Sequence, residues 1–118
     1  MKRRIVALIA VMVFGVSGMS VNAAGLKEVF NAKYYADQWL MNSGLNYTSI
    51  RPTLLSNDPG TGFVQIADRV SKEDTTFTIT RSDLAETILE VLLNNNTINK
   101  SFDLTQGTMP ISEAVKLV

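Results

Sequence analysis

A chain of 118 residues, 46% hydrophobic and 19% charged, suits a single globular domain with a core of its own. It has no histidine and no cysteine, which excludes Ser-His-Asp and Cys-His nucleophilic centres, thiol redox chemistry and an ordinary structural zinc site. Eleven bases balance eleven acids, so no basic footprint marks it for nucleic acid. Proton chemistry is left to Tyr, Lys, Asp, Glu or hydroxyl groups.

Residues 1–24 carry Lys2, Arg3 and Arg4 ahead of an apolar run from Ile5 to Val16. Two readings stay open. With Val21 and Ala23 as small residues near a cleavage point, the segment is a secretory signal, and the remainder is a small exported α/β binding module. As an unbroken apolar run it is equally a buried parallel strand of a cytoplasmic protein. At twelve residues the run is shorter than the roughly 20 needed to span a membrane.

From Gly25 to about Met41, Leu26, Val29, Phe30, Ala36, Trp39 and Leu40 recur at helical spacing, and Ser43-Gly44 supplies a stop. Trp39 and Leu40 are expected in the core. Leu45–Arg51 reads as a strand ended by Pro52, which cannot donate to a ladder. Asn57-Asp58-Pro59-Gly60 is a turn, with Gly60 the residue that tolerates positive φ. Phe63–Ala67 and Thr75–Thr80 follow as strand candidates. Leu84, Ile88, Val91 and Leu92 mark a second helix, capped by Ser82 with Asp83 in its first turn. Asn94-Asn95-Asn96 ends that helix through the left-handed tolerance of Asn. A strand over Ser101–Leu104, a turn at Gln106-Gly107 and a short helix from Pro110 to Leu117 complete an alternating α/β pattern.

Chemistry-bearing motifs are sparse. Gly15-Val16-Ser17-Gly18 holds two glycines where a dinucleotide fingerprint needs three. Asp58-Pro59-Gly60-Thr61-Gly62 reads as a structural turn. The charged cluster Asp68, Arg69, Lys72, Glu73 and Asp74 reads as a solvated loop. Lys33 and Asp37 are i, i+4 neighbours, the spacing of a surface ion pair.

Several segments in register carry a resemblance: Asn31–Leu40, Ser43–Thr48, Ile50–Leu55, Asn57–Gly62, Ile79–Ala85 and Lys100–Leu104. Together they resemble the C-terminal half of atypical short-chain dehydrogenase/reductases, the group of NAD(P)H-binding or sugar-epimerase-like proteins. The resemblance spans about residues 25–115 and implies an α/β fold. That fold is the C-terminal half of a Rossmann-like, NAD(P)-binding parallel sheet lacking the N-terminal Gly-rich half. Residues 25–118 are then a partial domain, and residues 5–17 are its central strand.

By that resemblance Lys33 matches the lysine of a Tyr-x-x-x-Lys pair, which binds the nicotinamide ribose and lowers the tyrosine pKa. Ser17 matches a serine that hydrogen-bonds a substrate carbonyl. Arg51, Pro52 and Thr53 match the loop closing over the nicotinamide side. The implied substrate is a small carbonyl or sugar-like molecule. Val29 stands where the pair requires tyrosine, and the Gly-rich loop that supplies backbone donors to a pyrophosphate is absent. The expectation is therefore a truncated fragment, catalytically weak or inactive. It should expose a sheet edge and an apolar face, through which copies would assemble. Ser49, polar in an apolar strand, reads as relaxed constraint.

Overall fold

The computed structural model describes residues 4–8, 23–71 and 77–118. Strand β1 (Arg4–Leu8) is followed by helix α1 (Ala23–Met41) and strand β2 (Asn46–Pro52), and β1 and β2 pair in parallel. Residues 9–22, including Ser17, lie outside the described residues. Then come β3 (Leu54–Ser56), β4 (Phe63–Ala67), β5 (Thr78–Thr80), α2 (Arg81–Leu93), a 3-10 turn at Asn95–Thr97, β6 (Lys100–Gln106), β7 (Met109–Pro110) and α3 (Ile111–Lys116). The main sheet has the order β1-β2-β6-β4-β7; β1, β2 and β6 are parallel, and β4 runs antiparallel to β6 and β7. Parallel β3 and β5 form a separate two-stranded sheet. Both the α/β class and the mostly parallel sheet match the sequence expectation.

Strand alternation divides the sheet into two chemically different faces. Ile50, Phe102, Leu104 and Val64 point one way and pack with Ile79, Leu84, Val91, Ile111, Ala114 and Val115, so α2 and α3 cover this face. The opposite face carries Ser49, Arg51, Ser101 and Asp103, held in side-chain hydrogen bonds. Exposed apolar side chains lie on α1, where Tyr34, Tyr35 and Trp39 are 61–69% exposed, and on α2 at Leu89, Leu92 and Leu93. Trp39 is thus not a core residue, whereas Leu40 is buried. Successive helical residues stand about 100° apart, so only one of the two can face the sheet.

Other local expectations shift for specific reasons. Gly25 lies inside α1. Gly44 does take the left-handed conformation (φ 77°) that stops α1. Strand β2 includes Pro52, whose missing N–H is tolerated at the last position. Positive φ falls to Gly62 (79°), not Gly60; Gly60 is needed because a Cβ there would stand 2.7 Å from Ser82 Oγ. The cap of α2 is Thr80, whose Oγ1 accepts from the Asp83 backbone N–H at 2.9 Å, rather than Ser82. Asn94 is extended, and the left-handed Asn is Asn99 (φ 61°). Strand β6 runs longer than expected because both its edges are paired, by β2 and by β4. Met109 and Pro110 form a strand, leaving only Ile111–Lys116 helical.

Gly107 turns the chain between β6 and β7, and a Cβ there would lie 2.4 Å from the Val64 carbonyl carbon. Backbone cannot yield as a side chain does, so Gly107→Ala is expected to cost about 1–3 kcal/mol, read as a lower urea midpoint with an unchanged slope.

Candidate functional site

The carboxyl ends of parallel strands are where α/β sheets bind ligands, and two contacts show what stands there. Ser49, fully buried in β2, donates its hydroxyl to Asp37 Oδ1 of α1 at 2.9 Å. Ser49 is therefore a tether that sets the helix against the strand, not a lapse in the strand's pattern. The four-residue connection turns the chain back, so α1 and β2 run antiparallel. Moving from Ser49 to Arg51 advances about 6.6 Å along the strand. Moving from Asp37 back to Lys33 advances about 6 Å along the helix in the same direction. Lys33 thus comes level with Arg51 at the carboxyl end of β2. Burial lowers the Lys33 pKa from its ordinary value.

Arg51 is tightly engaged. Its Nε donates to Asp103 Oδ1 at 2.6 Å, Nη1 to the Ser101 hydroxyl, and Nη2 to the Asp68 carbonyl at 2.9 Å. Asp103 Oδ2 in turn accepts the Val70 backbone N–H at 2.9 Å. The guanidinium therefore ties the β2–β6 ladder to the chain at 68–70, and Asp68 is part of that tie through its carbonyl. Lys72, Glu73 and Asp74 lie outside the described residues.

Pro52 is buried, as is Thr53, whose N–H donates to the Leu104 carbonyl and whose Oγ1 donates to Thr105 Oγ1, both at 3.0 Å. Thr105 Oγ1 continues the chain to the Thr78 carbonyl at 3.2 Å, joining the main sheet to the small one. Lys33 and Arg51–Thr53 thus share one end of the sheet. Val29, four residues before Lys33, offers no hydroxyl to titrate.

Sequence reasoning missed a second constellation. Asp83 is 1% exposed and accepts the backbone N–H groups of Thr61 (3.0 Å) and Gly62 (2.9 Å), the Thr61 hydroxyl (3.0 Å) and the Gln106 amide (2.9 Å). Burial pushes this carboxyl up, but the N–H groups of Thr61 and Gly62, then Gln106 and Thr80, outweigh it and hold its pKa at about 2. Arg81, two residues earlier, donates to Asn57 Oδ1. The start of α2 therefore clamps both ends of the Asn57–Gly62 loop. The available signal was the pairing of Asp-Pro-Gly-Thr-Gly with an acidic residue at a helix start, which by itself only suggested a turn and a cap.

Lys33 carries an ammonium that can donate hydrogen bonds to a polar ligand, and Arg51 and Thr53 are held by the contacts described above. Among the described residues, the N-terminus of α2 offers a pyrophosphate no cradle: it is filled by the Asp83 carboxylate and the Thr80 cap, which would repel or exclude an anion. Among the described residues, no helix is long and apolar enough to cross a membrane.

Comparison with known proteins bears directly on this geometry. The protein family described as NAD(P)H-binding matches residues 1–95. A Bacillus subtilis protein named as an uncharacterized sugar epimerase is 47% identical over 91 residues, covering 77% of this chain and 41% of its own length. An uncharacterised-family protein of Saccharomyces cerevisiae is 36% identical over 97 residues, covering 80% and 43%. A solved Bacillus halodurans structure bearing the name NAD-dependent epimerase/dehydratase superposes with a TM-score of 0.79 at 32% identity, covering 96% of this chain and 50% of that one. The chain spans about half the length, or less, of the relatives it matches. A mostly parallel sheet and a match over residues 1–95 make this chain a member of the NAD(P)H-binding family, with a Rossmann-like fold akin to the epimerase and short-chain dehydrogenase group.

Proposed function

We propose that this chain forms the nicotinamide- and substrate-facing half of an NAD(P)-dependent oxidoreductase or epimerase of the short-chain dehydrogenase type. The observation that supports the proposal is the Ser49–Asp37 hydrogen bond, which holds α1, the helix that carries Lys33, against β2, the strand that leads into Arg51–Thr53. In this reading the Lys33 ammonium donates to the ribose hydroxyls. Pro52 and Thr53 wall the nicotinamide side, Arg51 keeps that wall rigid through Asp103 and Asp68, and the Ser17 hydroxyl donates to the substrate carbonyl. A bound nicotinamide would supply hydride transfer. With Val29 in the tyrosine position, Lys33 binds and orients without activating a phenol. The substrate is a small carbonyl or sugar-like molecule.

No Gly-x-Gly-x-x-Gly occurs in residues 1–118, so the pyrophosphate lacks its backbone donors and the chain alone should bind cofactor weakly. Calorimetric titration with NADPH and NADH is expected to give a Kd of about 1 mM, corresponding to only about −4 kcal/mol. Lys33→Met should weaken it by about tenfold or abolish it, and Tyr34→Phe, one residue away and outward-facing, should leave it unchanged. Micromolar binding that survives Lys33→Met would remove Lys33 from the site.

A further inference from the structure

We infer that the open edge of β4 at Ile66 and the apolar cavity beside it form a groove in which an extended peptide segment of a partner protein docks as an added strand. The edge is set by internal elements of the fold. Strand β6 pairs with β4 along Val64–Ala67 on one side, whereas β7 covers only Phe63 and Val64 on the other. From Gln65 to Ala67 the second side of β4 has no strand beside it among the described residues.

The ladder fixes which groups face that gap. In an antiparallel pair, residues alternate between exchanging both main-chain bonds with the partner and turning them away from it. The Gly107 N–H donates to the Phe63 carbonyl at 3.4 Å, so Phe63 faces β6, and Gln65 and Ala67 do the same by alternation. On β6, the Leu104 carbonyl accepts from the Thr53 N–H on the β2 side, as the same alternation requires. Ile66 stands opposite Leu104 and therefore turns its N–H and C=O outward, past the end of β7. A main-chain donor and acceptor on a half-buried residue call for partners. Neither proline nor a charged residue occurs in Gln65–Ala67 to blunt this edge.

The gap opens on a cavity of about 510 Å³ between β4 and α3, whose walls include Val64, Ile66, Met109, Ala114 and Leu117. Ile66 packs against the core together with Val64, so its side chain lies on the face that α3 covers. Residues directly opposite one another in an antiparallel pair send their side chains to the same face. A residue that exchanges both main-chain bonds with Ile66 thus places its own side chain in the cavity, and its two neighbours point to the other face.

The occupant follows from this conjunction. Strand addition draws affinity from main-chain hydrogen bonds and selectivity from pockets for alternate side chains, and both are present at Ile66. The partner segment is extended, carries Leu, Ile, Val or Phe at the paired position, and has polar residues on either side. A small apolar molecule would fill the cavity and leave the Ile66 N–H and C=O unmet.

The probe is a capped heptapeptide with leucine at its centre, threonines around it and a lysine at each end. Titrated into the isotope-labelled full chain up to about 1 mM, it should bind with a Kd of about 100 μM. The amide resonances of Ile66 and Leu117 should move, and those of Leu89 and Leu93 on α2 should not. N-methylation of the central leucine removes the N–H that meets the Ile66 carbonyl and should weaken binding at least tenfold. Leu117→Asp, at a position 74% exposed, puts a charge at the cavity mouth and should also weaken binding at least tenfold, while Leu93→Asp leaves it intact. Absence of binding at the highest concentration overturns the inference. So does equal affinity for the N-methylated peptide, the mark of a cavity ligand that ignores the strand edge. Movement of the Ile66 resonance with protein concentration alone, together with a dimer mass in sedimentation, would assign the edge to a second copy instead and overturn it too. None of these readouts involves cofactor, so their outcome is independent of the NAD(P) assignment.

Discussion

Replacing Asp83 with alanine is expected to destabilise the fold by about 3–5 kcal/mol, a large share of the roughly 5–15 kcal/mol that holds a domain of this size. The carboxylate satisfies the N–H groups of Thr61 and Gly62, the Thr61 hydroxyl and the Gln106 amide, and alanine would strand them. The effect has a pH signature. Because the folded pKa is about 2 against an ordinary 3.8, the carboxylate contributes its stabilisation above about pH 4 and loses it as pH falls toward 2. The shift is worth about 2 kcal/mol. Urea unfolding followed by circular dichroism at pH 5 and pH 2.5 should show this loss in the parent chain and a flatter profile in Asp83→Asn. Parallel profiles for the two would remove Asp83 as the source. The exposed Trp39 is a poor reporter of this transition.

Arg51→Met is the second large effect, with an expected loss of about 2–3 kcal/mol. Its guanidinium and the Asp103 carboxylate are each less than 15% exposed and meet at 2.6 Å, so removing one leaves a nearly buried charge. Asp103→Asn in the same chain should recover about half of the loss, since a neutral amide still accepts the Val70 N–H without an unpaired charge. If Arg51→Met leaves stability unchanged while altering NADPH binding, Arg51 serves the ligand directly and the tie to Asp103 is incidental. A double-mutant cycle on denaturant midpoints separates the two.

The α/β class, the approximate places of α1, β2, β4, α2 and the final helix, and the resemblance that led to Lys33 and Arg51–Thr53 were legible in the amino-acid order. Each rests on short-range physics: apolar spacing, proline and glycine punctuation, or motifs in register. The errors share another cause. Trp39 looked like core because helical spacing identifies an apolar face without saying whether anything covers it. Ser49 looked like a lapse because its partner is Asp37, a residue of the preceding helix that only the packed βα unit brings to it.

Asp83 looked like a helix-start acid because the loop it clamps is more than 20 residues away. Gly60 was assigned a conformation when its real constraint is the neighbouring Ser82 side chain. The sequence by itself determined the period of each element and the family. The tertiary structure decided which face is polar, which carboxylate is buried, and which strand residue tethers α1, because hydrogen bonds and burial depend on neighbours brought together only when helices pack on the sheet.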